Sequence, residues 1–271
     1  MSVSAGIAAL GRALPHLEEA YARLNRREYV SPDPLETLYR YEYLADREVA
    51  ALLVSCISYG RVAMILRSAR TLLGVLGDHP AEFLVSASQV ALGEELRPFR
   101  HRFTTGEEVA SLMVGIGRVI REYGSLEELM AASLERGVTP IEGAVAFVEK
   151  LRAKSELDGK HLLPSPADGS ACKRLFLFLK WMVRSDEVDP GGWSALHPRD
   201  LLLPMDVHMF DICKKLGLTS RNQANLRASI EVTDLFRTAV PEDPTKFDFV
   251  ITRFGIRKEL DKRSLVELCL G

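Results

Sequence analysis

Apolar residues recur at intervals of three and four along nearly the whole chain, the spacing of helices that each bury one face. The pattern is clearest over residues 46–76. Val49, Leu52, Leu53 and Cys56 form one stripe, and Val62, Ile65, Leu66, Ala69 and Leu72 a second. Ser58-Tyr59-Gly60 separates the two helices, and Gly77-Asp78-His79-Pro80 ends the second. A further helix is expected over 107–123, capped by Thr104 or Thr105, and another from Ser125, with Glu127 and Glu128 in its first turn. Others are expected over 141–153 after Pro140, over 170–183, and over 207–216 behind Asp206, with Gly217 as its stop. Helices over 221–238 and 245–254 complete the set, while the Gly- and Pro-containing stretch 186–199 reads as irregular. No stretch alternates as a half-buried strand would. The expected fold is all-α, with about ten helices joined by short connections.

Composition adds limits rather than detail. With 271 residues, 47% of them hydrophobic and 27% charged, the chain can bury a core without crosslinks. No apolar run approaches membrane-spanning length, and the first fourteen residues lack the pattern of a secretory leader. Cys56, Cys172, Cys213 and Cys269 form no CxxC pair, which argues against zinc ribbons and iron–sulfur clusters and for reduced thiols. A cytoplasmic monomer is therefore expected, with no membrane partner. The net charge of −2 is not that of a typical nucleic-acid binder. Its distribution is uneven, however. Arg97, Arg100, His101 and Arg102 interleave with Phe99 and Phe103, and Arg253, Arg257, Lys258, Lys262 and Arg263 form a second basic group. Either group would suffice for phosphate contacts, or would simply be a solvated face.

Two residues carry candidate chemistry. Ser170 is placed to cap the helix that follows it, which puts Lys173 in the first turn. A helix N-terminus disfavours an ammonium, and the following Leu175-Phe176-Leu177-Phe178-Leu179 reads as buried. Both effects favour the neutral, nucleophilic amine. The alternative is that Lys173 reaches out to solvent from the helix end. The backbone amides of Gly169, Ser170, Ala171 and Cys172 precede it, a set of donors suited to a phosphate. Asp206, after Pro204-Met205, either caps the next helix only or also faces Lys173.

Gly169-Ser170-Ala171-Cys172-Lys173, followed by Pro204-Met205-Asp206-Val207-His208-Met209, resembles the helix-hairpin-helix DNA glycosylases, above all the 8-oxoguanine glycosylases and their archaeal branch. The resemblance covers most of the chain from Asp46 onward. It implies a two-lobed fold with a central cleft. Residues 46–203 would form one lobe, ending in the hairpin and the lysine helix, and 1–45 with 204–271 the other. It further implies a bifunctional glycosylase and abasic-site lyase that removes a damaged base, 8-oxoguanine, from double-stranded DNA through a lysine Schiff base. Lys173 falls on the Schiff-base lysine, Asp206 on the catalytic aspartate, and His208 on a phosphate-contacting histidine. Tyr59 or Arg61 would fill the gap left by a flipped nucleotide. Asp248, Leu177 and Thr252 would contact the base, with Asp248 accepting from the N1–H and N2–H₂ of a guanine-type ring. No cofactor is implied beyond a monovalent or divalent cation bound at the hairpin. The chain departs from the family pattern in a longer loop before Lys173, in Ala171 for the middle glycine, and in an insertion holding Trp193. A second resemblance, to an uncharacterised bacterial family sharing residues 169–175 and 181–184, implies no activity. The competing expectation is a module of the same fold that binds DNA or RNA without chemistry.

Overall fold

A computed structural model describes residues 3–156, 160–257 and 259–270. Thirteen α-helices account for most of them: α1 (Val3–Leu24), α2 (Leu44–Cys56), α3 (Val62–Leu76), α4 (Pro80–Ser86), α5 (Gln89–Glu95), α6 (Gly106–Tyr123), α7 (Leu126–Ala131), α8 (Pro140–Ser155), α9 (Lys173–Val183), α10 (Val207–Lys215), α11 (Leu226–Ala239), α12 (Asp248–Ile256) and α13 (Lys262–Leu270). The fold is all-α, as the spacing of apolar positions implies. One exception is a minimal antiparallel hairpin, β1 (Arg100–His101) and β2 (Thr104–Thr105). Two-residue strands are too short to show alternation. None of these helices is long and apolar enough to cross a membrane.

The caps explain where the helices begin. Thr105 and Glu108 form a capping box at α6, and Ser125 accepts from Glu128 N at α7. Asn225 does the same for α11 by accepting from Ala228 N, so that helix starts at Leu226, five residues later than its apolar spacing suggests. Residues before Asp248 form turns, so α12 begins later than expected and runs on to Ile256. Ser170 does not cap α9. Cys172 does, in a left-handed conformation (φ 44°, ψ 32°), with no side-chain bond to the helix, and the Ser170 hydroxyl turns to Cys172 N instead. The N-terminal helix α1 has no counterpart in the sequence reading.

Helix α9 lies at the centre. It packs along α2, and Phe178 meets Phe147 of α8 and Trp193 of the following connection. An apolar run on all sides suits a helix surrounded by others. Helix α1 packs on α11, α12 and α13, and α10 on α12 and α13. Helix α6 approaches α4 so closely that a Cβ at Gly117 would lie 2.1 Å from Leu84 O, which makes glycine the side chain that permits the contact. All four cysteines are buried and free.

A buried carboxylate ties three distant segments together. Glu48 of α2 is 1% exposed and accepts from Leu126 N, Glu127 N and Trp193 Nε1, which closes the start of α7 and anchors the connection after α9. Burial pushes its pKa up from the ordinary 4.5 to about 7, although all three donors favour the charged form. Between those two values the folded chain keeps a proton that the unfolded chain releases. The stabilisation from Glu48 is therefore fully present below pH 4.5 and is lost as the pH rises through 7. Urea unfolding midpoints should fall across that window, and Glu48→Gln should remove up to ~1.4 kcal/mol per pH unit of that slope. Parallel pH profiles for the two chains would show that no such coupling exists.

Candidate active site

Lys173 and Asp206 meet in the lining of a cavity of about 600 Å³. The cavity is walled by α9, α10, α12, the turn between α2 and α3, and residues 32–35. The distance from Lys173 Nζ to Asp206 Oδ2 is 3.4 Å, with the two side chains 33% and 18% exposed. Two helix N-termini produce this meeting. Lys173 is the first residue of α9, and Asp206 is the N-cap of α10. The aspartate performs both roles open to it. Its Oδ1 accepts from His208 N at 2.9 Å and Met209 N at 2.8 Å, which leaves Oδ2 to face the amine. Capping thus fixes the orientation of the carboxylate, and the helix dipole favours its negative charge.

Leu177, Asp248, Thr252, Tyr59 and His208 line the same cavity. Leu177 sits one turn beyond Lys173, and the stripe continues to Lys180 and Trp181, which the sequence reading did not single out. Their spacing of seven and eight from Lys173 was the available signal. Lys180 is 1% exposed and lies 3.0 Å from Asp189 Oδ1 and 3.2 Å from Asp248 Oδ2. Burial alone would lower its pKa, but the Asp189 and Asp248 carboxylates outweigh that and hold it above the ordinary lysine range. Lys180 is therefore a fixed ammonium rather than a nucleophile. Of the two lysines lining the cavity, Lys173 is the one open to solvent.

Asp248 is 4% exposed, so it is not a solvent-facing residue. Burial pushes its pKa up, against the pull of Lys180. Its Oδ1 is buried and has no hydrogen-bond partner. Thr252 donates its hydroxyl hydrogen to the Asp248 and Phe249 carbonyls, which leaves the hydroxyl only as an acceptor toward the cavity. Helix α12 reaches α10 across Gly255, where a Cβ would lie 2.9 Å from His208 Cβ. His208 is exposed at that edge.

Several expected contact groups sit elsewhere or are already engaged. Of the four hairpin amides, Gly169 N donates to Pro166 O and Cys172 N to the Ser170 hydroxyl, so the loop is not a cradle of four free donors. The carbonyls of Pro166 and Cys172 are likewise taken, by Gly169 N and Phe176 N. Gly169, Ser170, Ala171, Cys172 and Arg61 do not line the cavity. Tyr59 does, but its hydroxyl is tied to His101 O at 3.0 Å and Thr104 Oγ1 at 2.7 Å, and Arg174 lies over its ring. To enter a duplex, this side chain would first have to give up both hydrogen bonds. Among the described residues of the second basic group, Arg263 is exposed while two others are engaged within the fold. Arg253 is buried against Asp33 and Val30 O, and Arg257 bonds to Glu259, Tyr29 O and Ser31 O. Lys258 and the side chain of Lys262 lie outside the described residues.

A family model described as protein of unknown function (DUF2400) matches residues 33–257, a span that holds both Lys173 and Asp206. The chain belongs to this family. Membership in DUF2400 agrees with the second of the two resemblances drawn from the sequence and assigns no activity. No curated protein and no solved structure matches the chain. The case for chemistry in this DUF2400 member therefore rests on its own side chains.

Proposed function

We propose that this protein is a DNA glycosylase with abasic-site lyase activity, and that it removes an oxidised guanine-type base, 8-oxoguanine, through a Schiff base on Lys173. The observation that carries the reading is the 3.4 Å separation of Lys173 Nζ and Asp206 Oδ2 in the lining of a cavity of about 600 Å³, room enough for a flipped nucleotide. Asp206 Oδ2 takes the ammonium proton, and the freed electron pair of Nζ forms a bond to the sugar C1′. The bond from C1′ to the base nitrogen breaks, and its electron pair leaves with the base. The departing base takes the proton that Asp206 carries, and Asp206, again a carboxylate, faces the positive charge now on Nζ and the sugar. The C1′–O4′ bond then breaks as a proton passes from Nζ to O4′, and the nitrogen–carbon double bond of the protonated Schiff base forms. Asp206 takes a proton from C2′, the freed pair forms the C2′=C3′ bond, and the 3′ phosphate leaves with the electron pair of the C3′–O bond.

The walls suit a flat, flipped base. Leu177, Trp181 and Phe249 supply apolar surface. Asp248 Oδ1 supplies an acceptor that lacks a donor. An unpaired buried oxygen costs roughly 1–3 kcal/mol, and an N–H of the base would relieve that cost. Incubation with borohydride and a duplex carrying one 8-oxoguanine should yield a covalent protein–DNA adduct. A mobility shift with no adduct would assign the chain to binding alone and end the catalytic reading.

A further inference from the structure

The hairpin that carries Arg100, His101 and Arg102 is built from underneath and bare on top. His101 is 2% exposed and bonds through its ring nitrogens to Ser68 Oγ at 2.9 Å and to Tyr59 O at 3.0 Å. Thr104 is fully buried and bonded to the Tyr59 hydroxyl. Arg174, the residue after Lys173, lies over the Tyr59 ring and donates to Cys56 O and His161 O, which ties this platform to the lysine helix. On that platform the turn residue Phe103 is 58% exposed. It stacks on Tyr59 at 5.1 Å and meets His161 edge-on at 5.0 Å. The neighbouring Arg102 takes a left-handed backbone conformation (φ 55°), so the turn is sharp. Arg61 in the α2–α3 turn, Arg97 in the turn between α5 and the hairpin, and Arg100 and Arg102 on the hairpin are all exposed. Tyr59 lines both the Lys173 cavity and a second groove of about 320 Å³ shared with Arg61, Met64, His101 and Arg102.

An aromatic ring exposed on a braced base and rimmed by guanidinium groups is complementary to a stack of bases between phosphates. We propose that Phe103 is the wedge of this protein. It would enter the base stack of duplex DNA where the target nucleotide leaves it, with Tyr59 as its backing and Arg61 and Arg102 on the flanking phosphates. The platform lies one ring away from the cavity, so a nucleotide displaced at Phe103 has a short path to Lys173. This inference rests on the DNA-processing reading above and adds the surface that opens the duplex.

The test uses the full chain and two DNA probes. One is a fully paired duplex with a single 8-oxoguanine. The other carries the same lesion unpaired in a one-nucleotide bulge. Phe103→Ala should lower the rate of adduct formation about tenfold or more on the paired duplex, the scale of one lost base–aromatic stack. The loss should be clearly smaller on the bulge, where less unstacking is required. Phe103→Trp should restore most of the paired-duplex rate. A 2-aminopurine beside the lesion should change its fluorescence with the unaltered chain and much less with Phe103→Ala. Thermal unfolding of each variant establishes that it is folded. Equal losses on both probes, or no loss on either, would overturn the wedge while leaving the Lys173 chemistry intact. If the unaltered chain neither binds nor traps either probe, both readings fall together.

Discussion

Lys173→Ala is expected to abolish the borohydride-trapped adduct and to slow base release by about a thousandfold or more, the scale on which removing a covalent nucleophile acts. Binding of the damaged duplex should survive, because the other residues lining the cavity and the β1–β2 hairpin are untouched. Stability should change little. An ion pair this open to solvent contributes roughly 0–1 kcal/mol, and Lys173 is one-third exposed. Lys180 provides the internal control. It also lines the cavity, yet it is enclosed by Asp189 and Asp248 as a permanent cation, so it cannot take over the reaction. Adduct that persists in Lys173→Ala would mean that another amine is the nucleophile, and the assignment of Lys173 would be withdrawn. Single-turnover assays on one oligonucleotide, with thermal unfolding in parallel, separate these outcomes.

The sequence carried the local part of this site more completely than the long-range part. Helix starts at Thr105, Ser125 and Asp206 follow from residue types whose short side chains bond to backbone three residues away, and all three act as caps. The residues Lys173, Leu177, Asp206, His208, Asp248 and Thr252 line one cavity. What stayed hidden depends on partners far apart in the chain. Nothing near Lys180 in sequence reveals that Asp189 and Asp248 neutralise it, and nothing near Arg253 points to Asp33. Lys180 therefore goes unremarked, and Arg253 reads as a phosphate contact or a solvated charge. Tyr59 looked free to move because its tethers, His101 and Thr104, lie more than forty residues away. The cap at α9 failed for a local reason. Ser170 has the right side chain, but the left-handed Cys172 redirects the chain, and no residue-type preference announces a left-handed cysteine.

Asp206→Asn separates the two roles of the aspartate. Asn is as good an N-cap as Asp, so its side-chain oxygen can keep the bonds from His208 N and Met209 N, and stability should stay within about 1 kcal/mol of the unaltered chain. The atom facing Lys173 then becomes either an amide nitrogen, which cannot take a proton, or a neutral oxygen, which is a far poorer base. Proton removal from the amine and charge stabilisation at the sugar are lost together. General-base assistance is worth about 10²–10⁴ in rate, and base release should slow by that order. Asp206→Ala should show the same kinetic loss plus a destabilisation of about 0.5–2 kcal/mol from the missing cap. The contrast between the two variants matters more than either value. If Asp206→Asn releases base at the unaltered rate while Asp206→Ala only lowers the unfolding midpoint, Asp206 is a helix cap and nothing more. The 3.4 Å contact with Lys173 would then be an ordinary surface ion pair, and the amine would need a different base.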